Sequence, residues 1–362
     1  MKLNRSQVFY LTFMNYSILN LQILPLMIKT AGKDLWISTL LSSMVGLFIG
    51  LLLWSLDKRN PEQTWFEMMQ HRPGGRTLIW LIVPVVILYL WVLCILTSIS
   101  LTEFISIGFV QETPVWVIAT AFGVSITYTL RNKLSSLADL SGLFTLIAII
   151  TGPTMSLALI GKRHLNYLLP IAEHGITPIL LGAALFIPIW TELFLLGFIH
   201  KKSTKKGGWF KAYFWIVVIN TIIFVGHSEG AISTFGLGQA ENMNFPMLSA
   251  VKAISLGFID RFDVYGLILM LFGAFIRVAM YYQLSLELTG HLFKNRKVRV
   301  SLWIKVILSA VLLSTTTVFL FTSTVFFREL LQPFLRFSFL MLGLFLVLYL
   351  YLRFGRAHQT RF

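Results

Sequence analysis

The chain has 362 residues, of which 56% are hydrophobic and only 12% are charged, and its net charge is +15. Soluble proteins carry about 25% charged residues, so this composition excludes both a disordered chain and a water-soluble globule. The positive residues lie in short clusters between apolar runs, which is typical of membrane topology signals rather than of a nucleic-acid-binding surface.

Ten apolar stretches long enough to cross a membrane follow one another along the chain. Helices are expected, because in lipid each backbone N–H and C=O group needs a partner within its own segment, and no strand-like alternation is present. The sequence therefore predicts an all-α polytopic membrane protein, with one membrane domain over residues 1–362. The predicted spans are 7–29, 35–56, 77–107, 114–130, 137–160, 178–200, 209–226, 264–288, 301–323 and 335–352.

Lysine and arginine are distributed unequally between the two sides that these spans define. With the N-terminus inside, 20 of the 30 Lys and Arg residues fall on the inner side and 8 on the outer side, while Arg277 and Lys305 fall within spans. Positive residues favour cytoplasmic loops. The sequence therefore predicts that both termini are cytoplasmic, as an even number of spans requires.

The first predicted span carries many polar residues, among them Asn15, Tyr16, Ser17 and Asn20, and they are followed by Pro25. Asn and Ser compete for backbone hydrogen bonds, and Pro removes one backbone donor. This pattern favours a locally broken helix that lines a cavity. The alternative is a span buried among other helices, with its polar side chains bonded across to them.

The sixth predicted span combines three small residues, Gly182, Ala183 and Ala184, with Pro188 near its middle and Glu192 within the membrane. A carboxylate at this depth is neutral, paired or in a wet cavity. Glu192 is therefore interpreted either as a coupling or gating group or as a partner in a structural hydrogen bond.

Arg277 lies near the middle of the eighth predicted span. The inner end of that span is about ten residues away, or roughly 15 Å, which is too far for the side chain to reach the surface easily. The arginine therefore needs a partner. Because Glu192 lies at a comparable depth, we hypothesise an intramembrane ion pair between Glu192 and Arg277.

The ten predicted spans divide into two halves of five, over residues 7–160 and 178–352. Because five is odd, the two halves have opposite topology, and spans one and six are their first members. Interrupted helices at corresponding places in inverted halves indicate a binding site near the middle of the membrane. A half-helix N-terminus there can hold a carboxylate through its free N–H groups and the helix dipole.

Several motifs fit a pattern but lack its context. Residues 226–230 match G-x-S-x-G, but they follow a spanning helix rather than the strand of a hydrolase fold, so no enzyme is expected. Residues 236–238 lack the third glycine of a dinucleotide site, and no cofactor is expected. The seven histidines include no i,i+4 pair and Cys94 is the only cysteine, so neither a metal site nor an internal disulfide is expected. Gly46 and Gly50 form a GxxxG pattern, which lets helices approach closely.

The order and spacing of several short segments resemble the B-subunit family of spore germination receptors. These spore germination permeases belong to the amino acid–polyamine–organocation transporter superfamily. The resemblance covers nearly the whole chain. The segments that carry it are 24–25, 31–38, 104, 112–114, 169–171, 175–178, 191–192, 244–246 and 259–263.

The resemblance implies a LeuT-like fold of ten helices in a 5+5 inverted repeat, with spans one and six discontinuous, in the spore inner membrane. It implies a complex with an A-type membrane subunit and a C-type lipoprotein subunit. It also implies that an amino acid or similar germinant binds between the first, third, sixth and eighth spans. The ligand-binding residues implied are Ser17, Ile18, Asn20, Tyr89, Thr97, Gly182, Ala183, Ala184, Glu192 and Tyr281.

The chain departs from this family at two positions in the first span. Relatives often have glycines where this sequence has Ile18 and Asn20, and the Ile18 side chain would crowd a close contact between the backbone and a carboxylate. Either the ligand is not an ordinary α-amino acid or it binds in a different position. A proton-coupled amino acid transporter, with Glu192 as the proton carrier, is the alternative function.

Overall fold

The computed structural model describes residues 2–129, 131–201, 208–254, 263–292 and 324–354. Within these ranges the chain is helical and holds no β-strand, so the all-α class predicted from the sequence is confirmed. The helices are α1 Arg5–Ser17, α2 Leu19–Ala31, α3 Leu35–Asp57, α4 Trp65–Gln70, α5 Gly75–Gly108, α6 Val115–Thr129, α7 Leu134–Ala158, α8 Ile176–Thr191, α9 Gly208–Phe235, α10 Leu237–Ala240, α11 Pro246–Lys252, α12 Asp263–Leu292 and α13 Thr324–Phe354; short 3₁₀ helices are Gly32–Asp34, Ile160–Lys162, Leu165–Leu168 and Glu192–Phe198.

Seven helical segments among the described residues are long and apolar enough to cross a membrane, which supports a multi-pass membrane protein. The predicted spans 7–29 and 114–130 correspond to shorter helices, since α1 and α2 have 13 residues each and α6 has 15. The predicted span 301–323 lies outside the described residues, so the total of ten stays a prediction. The seven segments are Ile23–Asp57, Gly75–Gly108, Leu134–Lys162, Ile176–Phe198, Gly208–Phe235, Asp263–Leu292 and Leu331–Phe354.

The first predicted span is interrupted at Ile18, which separates α1 from α2. The N–H group of Ile18 bonds to the carbonyl of Tyr16, so the chain turns more tightly than an α-helix at this point. Pro25 lies inside α2 and does not end it. The interruption therefore falls among the polar residues rather than at the proline.

The sixth predicted span changes form at Glu192, beyond the small residues and Pro188. Helix α8 continues through Gly182 and Pro188 to Thr191, and a 3₁₀ helix follows from Glu192 to Phe198. A Cβ atom on Gly182 would lie 2.7 Å from both the Ala31 Cβ and the Ser38 Oγ, so this glycine allows a tight helix contact.

Close packing of α3 against α8 and α9 depends on the GxxxG pattern. A Cβ atom on Gly46 would lie 2.7 Å from the Trp190 ring, and one on Gly50 would lie 3.3 Å from the Tyr213 Cβ. The close approach predicted for these two glycines is therefore confirmed.

The chain ends of the bundle fall on one face, here called the N-terminal face. On it Lys2 pairs with Glu62, and Arg59 donates to the Arg353 carbonyl, 3.2 Å away. The N–H of Leu3 also bonds to the His200 carbonyl at 2.9 Å. The first and last described residues therefore lie on the same side of the bundle.

The N-terminal face also holds a buried ion pair. The Lys201 Nζ is 2.8 Å from the Asp57 Oδ1 and 2.9 Å from the Tyr213 hydroxyl, which itself donates to the Asp57 Oδ2 at 2.5 Å. The side chains of Lys201 and Asp57 are each only 4% exposed. Together with Tyr213, this pair links the end of α3 to the first turns of α9.

The other side, here called the opposite face, is closed by polar contacts between loops. Lys33 pairs with Glu173 at 2.9 Å, and the Asp34 carboxylate accepts from the Ala172 N–H at 2.9 Å. The hydrogen bond from Lys33 lowers the pKa of the exposed Glu173 carboxyl. Lys252 of α11 donates to the Gly108 carbonyl at the end of α5, 2.7 Å away.

Candidate functional site

A buried ion pair between Arg277 and Glu192 lies at the heart of the bundle. The two guanidinium nitrogens Nη1 and Nη2 are 2.6 and 2.7 Å from the carboxylate oxygens Oε2 and Oε1. The Arg277 side chain has no exposed surface and that of Glu192 is 2% exposed. The geometry is bidentate, the strongest form of a charge-assisted hydrogen bond. The structure thus brings together the two residues that the sequence analysis pairs.

Arg277 also binds two other helices. Its Nε donates to the Thr97 Oγ1 of α5 at 2.9 Å, and its Nη1 lies 3.3 Å from both the carbonyl and the side-chain oxygen of Asn15 in α1. The carbonyls in the last turn of a helix lack intrahelical partners. Because α1 ends at Ser17, the arginine satisfies one of these carbonyls and places its positive charge at the negative end of the helix dipole.

Tyr281 completes this arrangement from the next turn of α12. Its hydroxyl donates to the Glu192 Oε2 at 2.5 Å and accepts from the Asn15 Nδ2 at 2.7 Å, while the Arg277 guanidinium lies over its ring. We call the five residues that meet here the charged centre: Asn15, Thr97, Glu192, Arg277 and Tyr281. They come from α1, α5, the 3₁₀ helix after α8, and α12.

The charged centre couples these helices energetically. Removing one partner of a buried ion pair costs about 3–5 kcal/mol, because the other charge remains buried without compensation. Any movement that separates α12 from Glu192 or from the end of α1 therefore requires a new partner for Arg277. A bound anion or a rearranged side chain can serve as that partner.

The Tyr16 hydroxyl in the bundle core has no hydrogen-bond partner among the described residues, and the hydroxyls of Tyr89 and Ser338 lie close to each other without a well-formed hydrogen bond. All three residues are buried. Tyr16 and Tyr89 lie close enough to Glu192 and Arg277 to interact with them electrostatically. Buried polar atoms normally have a partner, so these tyrosines offer hydrogen bonds to a polar ligand or to water beside the charged centre.

A small apolar pocket of about 40 Å³ lies between the charged centre and the opposite face. On α5 it begins at Phe104 and on α12 at Met270, each seven residues from a member of the charged centre, a distance of about 10 Å along a helix. None of the lining residues belongs to the ligand set implied by the resemblance. The lining includes Leu24, Pro25, Phe104, Phe245, Pro246 and Met270.

The predicted ligand-binding residues are only partly brought together. Thr97 and Glu192 both bind Arg277, and Tyr281 donates to Glu192. Tyr89 lies close to Glu192 and Arg277. Ile18 is fully buried at the junction of α1 and α2.

The other predicted ligand residues are elsewhere or undescribed. Gly182 packs on Ala31 and Ser38, and Ala183 and Ala184 adjoin it two turns or more before Glu192 in α8. The side chains of Ser17 and Asn20 lie outside the described residues.

Sequence reasoning noted Asn15 as a polar residue of the first span but did not place it among the ligand-binding residues. The Asn15 carbonyl accepts a hydrogen bond from Arg277, and this contact depends on where α1 ends. Some pocket residues belong to the segments that carry the family resemblance, and that resemblance is the sequence signal that could have identified them: Leu24, Pro25, Phe104 and Pro246.

These features define a class: a helical multi-pass membrane protein with a charged pair where interrupted helices meet. Comparison with known proteins gives the family. The family model for spore permeases, described as "Spore germination protein", matches residues 2–324, and the chain belongs to this family. The resemblance inferred from the sequence motifs is therefore confirmed.

Individual relatives are distant. The chain is 24% identical over 315 residues to spore germination protein XB of Bacillus anthracis, covering 84% of this chain and 86% of that protein. It is 25% identical over 277 residues to spore germination protein KB of Bacillus subtilis strain 168, covering 74% and 72%. A shorter match, 28% identical over 155 residues and 42% of each chain, is to spore germination protein YndE of the same strain.

Proposed function

We propose that this chain is the B-type, ligand-sensing subunit of a spore germinant receptor. The observation that carries the proposal is the charged centre, where Arg277 binds atoms from α1, α5 and the start of the 3₁₀ helix at Glu192. A small ligand that changes the partners of one arginine changes the contacts of four helical segments at once. The names of the three relatives, all spore germination proteins, support a role in germination.

The fold proposed for this role is the LeuT-like 5+5 inverted repeat, with halves over residues 7–160 and 178–352. The interruption at Ile18 and the change of helix form at Glu192 support it, because they fall in the first member of each half. The proposed location is the spore inner membrane, with the N-terminal face towards the cytoplasm. The excess of Lys and Arg on the predicted inner side supports that orientation.

The proposed ligand is an amino acid or a similar small molecule with an anionic group. Its carboxylate would compete with Glu192 for Arg277, and the hydroxyls of Tyr16 and Tyr89 would donate to it. The rest of the ligand would extend towards the apolar pocket, which begins about 10 Å from the charged centre, so we expect a preference for apolar side chains. The remaining residues of the proposed site are those implied by the family: Ser17, Ile18, Asn20, Thr97, Gly182, Ala183, Ala184 and Tyr281.

Signalling follows from differential binding. A ligand shifts a conformational equilibrium only by its difference in affinity for the two states. If the ligand replaces Glu192 at Arg277, the 3₁₀ helix loses its ion pair with α12 and keeps the hydrogen bond from Tyr281, and the new arrangement can be read by the A-type membrane subunit and the C-type lipoprotein. A proton-coupled transporter would need the same pocket, but the family membership favours the receptor.

The proposal is tested by ligand binding to the purified full-length chain. Thermal-shift screening against amino acids, sugars and nucleosides should find a small anionic or zwitterionic ligand that raises the melting temperature. The shift should be lost in Arg277→Lys, which keeps the charge but not the bidentate fork, and retained in Arg76→Lys, which changes an exposed arginine. A ligand that binds both variants equally contradicts a site at Arg277.

A second experiment separates sensing from transport. The identified ligand, isotopically labelled, is offered to liposomes that contain the chain alone. We expect no counterflow above that of empty liposomes. Robust exchange by the isolated chain would overturn the receptor assignment in favour of the transporter.

A further inference from the structure

Two histidines and a glutamate meet on the N-terminal face, away from the charged centre. The His200 Nε2 lies 3.8 Å from the Glu287 Oε1, and the His291 Nε2 lies 3.9 Å from the same oxygen. One ligand atom from each residue lies within 4.8 Å of the other two. We call these residues, His200, Glu287 and His291, the histidine cluster.

We propose that the histidine cluster binds a divalent transition-metal ion, for which Zn²⁺ is the best match. Two imidazoles and one carboxylate are ligands that zinc accepts, whereas Ca²⁺ and Mg²⁺ prefer oxygen ligands only. Ligand atoms around a tetrahedral zinc stand about 3.4 Å apart, as follows from metal–ligand bonds of about 2.0–2.1 Å. The two histidine–glutamate separations therefore need to shorten by about 0.4–0.5 Å, and the two histidine nitrogens, which lie within 4.8 Å of each other, by up to about 1.4 Å, a change that side-chain rotation can supply.

The surroundings of the histidine cluster suit a metal site. The side chains of His200, His291 and Glu287 are 25%, 33% and 43% exposed, so an ion can reach them from solvent. Behind His200, its Nδ1 faces the Glu67 carboxylate at 4.0 Å. Metal-bound histidines commonly direct the second ring nitrogen at a carboxylate, which fixes the tautomer and raises ligand basicity.

Helix α4 carries two side chains that lie against the histidine cluster, those of Glu67 and Phe66. Glu67 belongs to the capping box of α4, where it accepts from the Thr64 N–H at 2.9 Å. The Phe66 ring packs on the His291 ring with centroids 4.8 Å apart. Short helix α4 therefore supports the histidine cluster from one side.

The sequence predicts no metal site because it contains no pair of histidines at i,i+4. The relevant pair is Glu287 and His291, which are i,i+4 on α12, and His200 joins them only through the fold. The 3₁₀ helix that begins with Glu192 ends two residues before His200, while α12 carries Arg277. A bound ion would therefore tie together, at the N-terminal face, the two segments that the charged centre joins at mid-depth.

The test uses the full-length chain, purified without a polyhistidine tag and stripped with a chelator. Titration with Zn²⁺ should show one saturable site, and Co²⁺ should give the visible absorption of a low-symmetry complex. His200→Ala and His291→Ala should each lower Zn²⁺ affinity by more than about 100-fold, and Glu67→Gln by about tenfold, because outer-shell changes alone cost about 10–100-fold. The matched control is His71→Ala, an exposed histidine in the turn after α4, which should bind as the wild type does.

Folding of each variant is checked by its melting temperature without metal. If one alanine variant does not fold, Glu287→Gln serves in its place, since it keeps the volume and shape of a half-exposed side chain. Absence of saturable Zn²⁺ binding to the wild type overturns the proposal. Equal affinity in His291→Ala and His71→Ala also overturns it.

Discussion

Among the described residues, Arg277 pairs with one carboxylate, that of Glu192, and is held in position by uncharged oxygen atoms of Thr97 and Asn15. This division of roles means that Glu192 determines whether the arginine is tolerated in the core, while the other contacts determine where it points. The two roles can be separated by mutation.

Replacing Arg277 with Met should lower the free energy of unfolding by about 3–5 kcal/mol, because Glu192 is then buried without a counter-charge. The double variant Glu192→Gln/Arg277→Met should lose less than the sum of the two single changes. Unfolding in an SDS titration measures both values, with Arg76→Met as the exposed control.

The charge swap Glu192→Arg/Arg277→Glu tests the pair from the other direction. It restores opposite charges at the same two positions, so it should be more stable than either single substitution. A swapped protein no more stable than the single variants would refute a mutual ion pair as the source of the stability.

Small residues at helix contacts permit a matched comparison. Gly46→Ala should destabilise the chain by about 1–3 kcal/mol, because the added methyl would lie 2.7 Å from the Trp190 ring. Gly152→Ala in α7 should be neutral or stabilising, since nothing lies within 4 Å of its added Cβ. Equal melting temperatures for the two purified variants would contradict the tight contact of α3 with α8.

At the scale of single residues, depth in the membrane was enough to suggest that Glu192 and Arg277 belong together. The sequence could not predict that the Asn15 carbonyl is also a partner. That contact depends on the residue at which α1 ends, and helix ends are poorly determined by sequence patterns. Tyr281 was placed in the site by family resemblance rather than by physical reasoning.

At the scale of helices, hydropathy located the described spans well because the requirement for internal hydrogen bonding in lipid is strict. The interruptions were harder to predict. The resemblance implies that the sixth span is discontinuous but gives no position for the break; α8 continues through Pro188 to Thr191, and membrane helices tolerate an internal proline. Gly182, a small residue of this span, lies at a tight helix contact.

Two ion pairs on the N-terminal face differ in burial and should differ in energetic importance. Asp57→Asn leaves Lys201 buried without a full counter-charge and should lower the free energy of unfolding by about 3–5 kcal/mol. Glu62→Gln breaks the exposed pair with Lys2 and should cost about 0–1 kcal/mol. The same SDS titration measures both, and similar losses would argue against a special role for the buried pair.

At the scale of the whole molecule, the described contacts place residues 2, 62, 201 and 353 on one face and residues 33, 108, 173 and 252 on the other. Because residues 2 and 353 lie on the same face, the contacts agree with a chain that crosses the membrane an even number of times. The charge distribution predicts which face is cytoplasmic, and that assignment needs an independent experiment.

Cysteine labelling can decide the orientation, because the chain has one native cysteine and Cys94 is buried. Glu173→Cys, on the opposite face, should react with a membrane-impermeant maleimide in intact cells. Glu62→Cys, on the N-terminal face, should react only after permeabilisation. The reverse pattern would invert the predicted orientation, and the unsubstituted chain measures background labelling.

The sharing of Arg277 among several helices has a consequence for how graded a response can be. A bundle in which only one of those helices has moved still contains a buried cation with part of its shell missing, so half-switched forms are scarcely populated. If the proposed ligand acts at Arg277, a rising ligand concentration would change how many molecules have switched, rather than how far each has moved. Each molecule would behave as a two-position device, and intermediate doses would yield mixed populations instead of intermediate shapes.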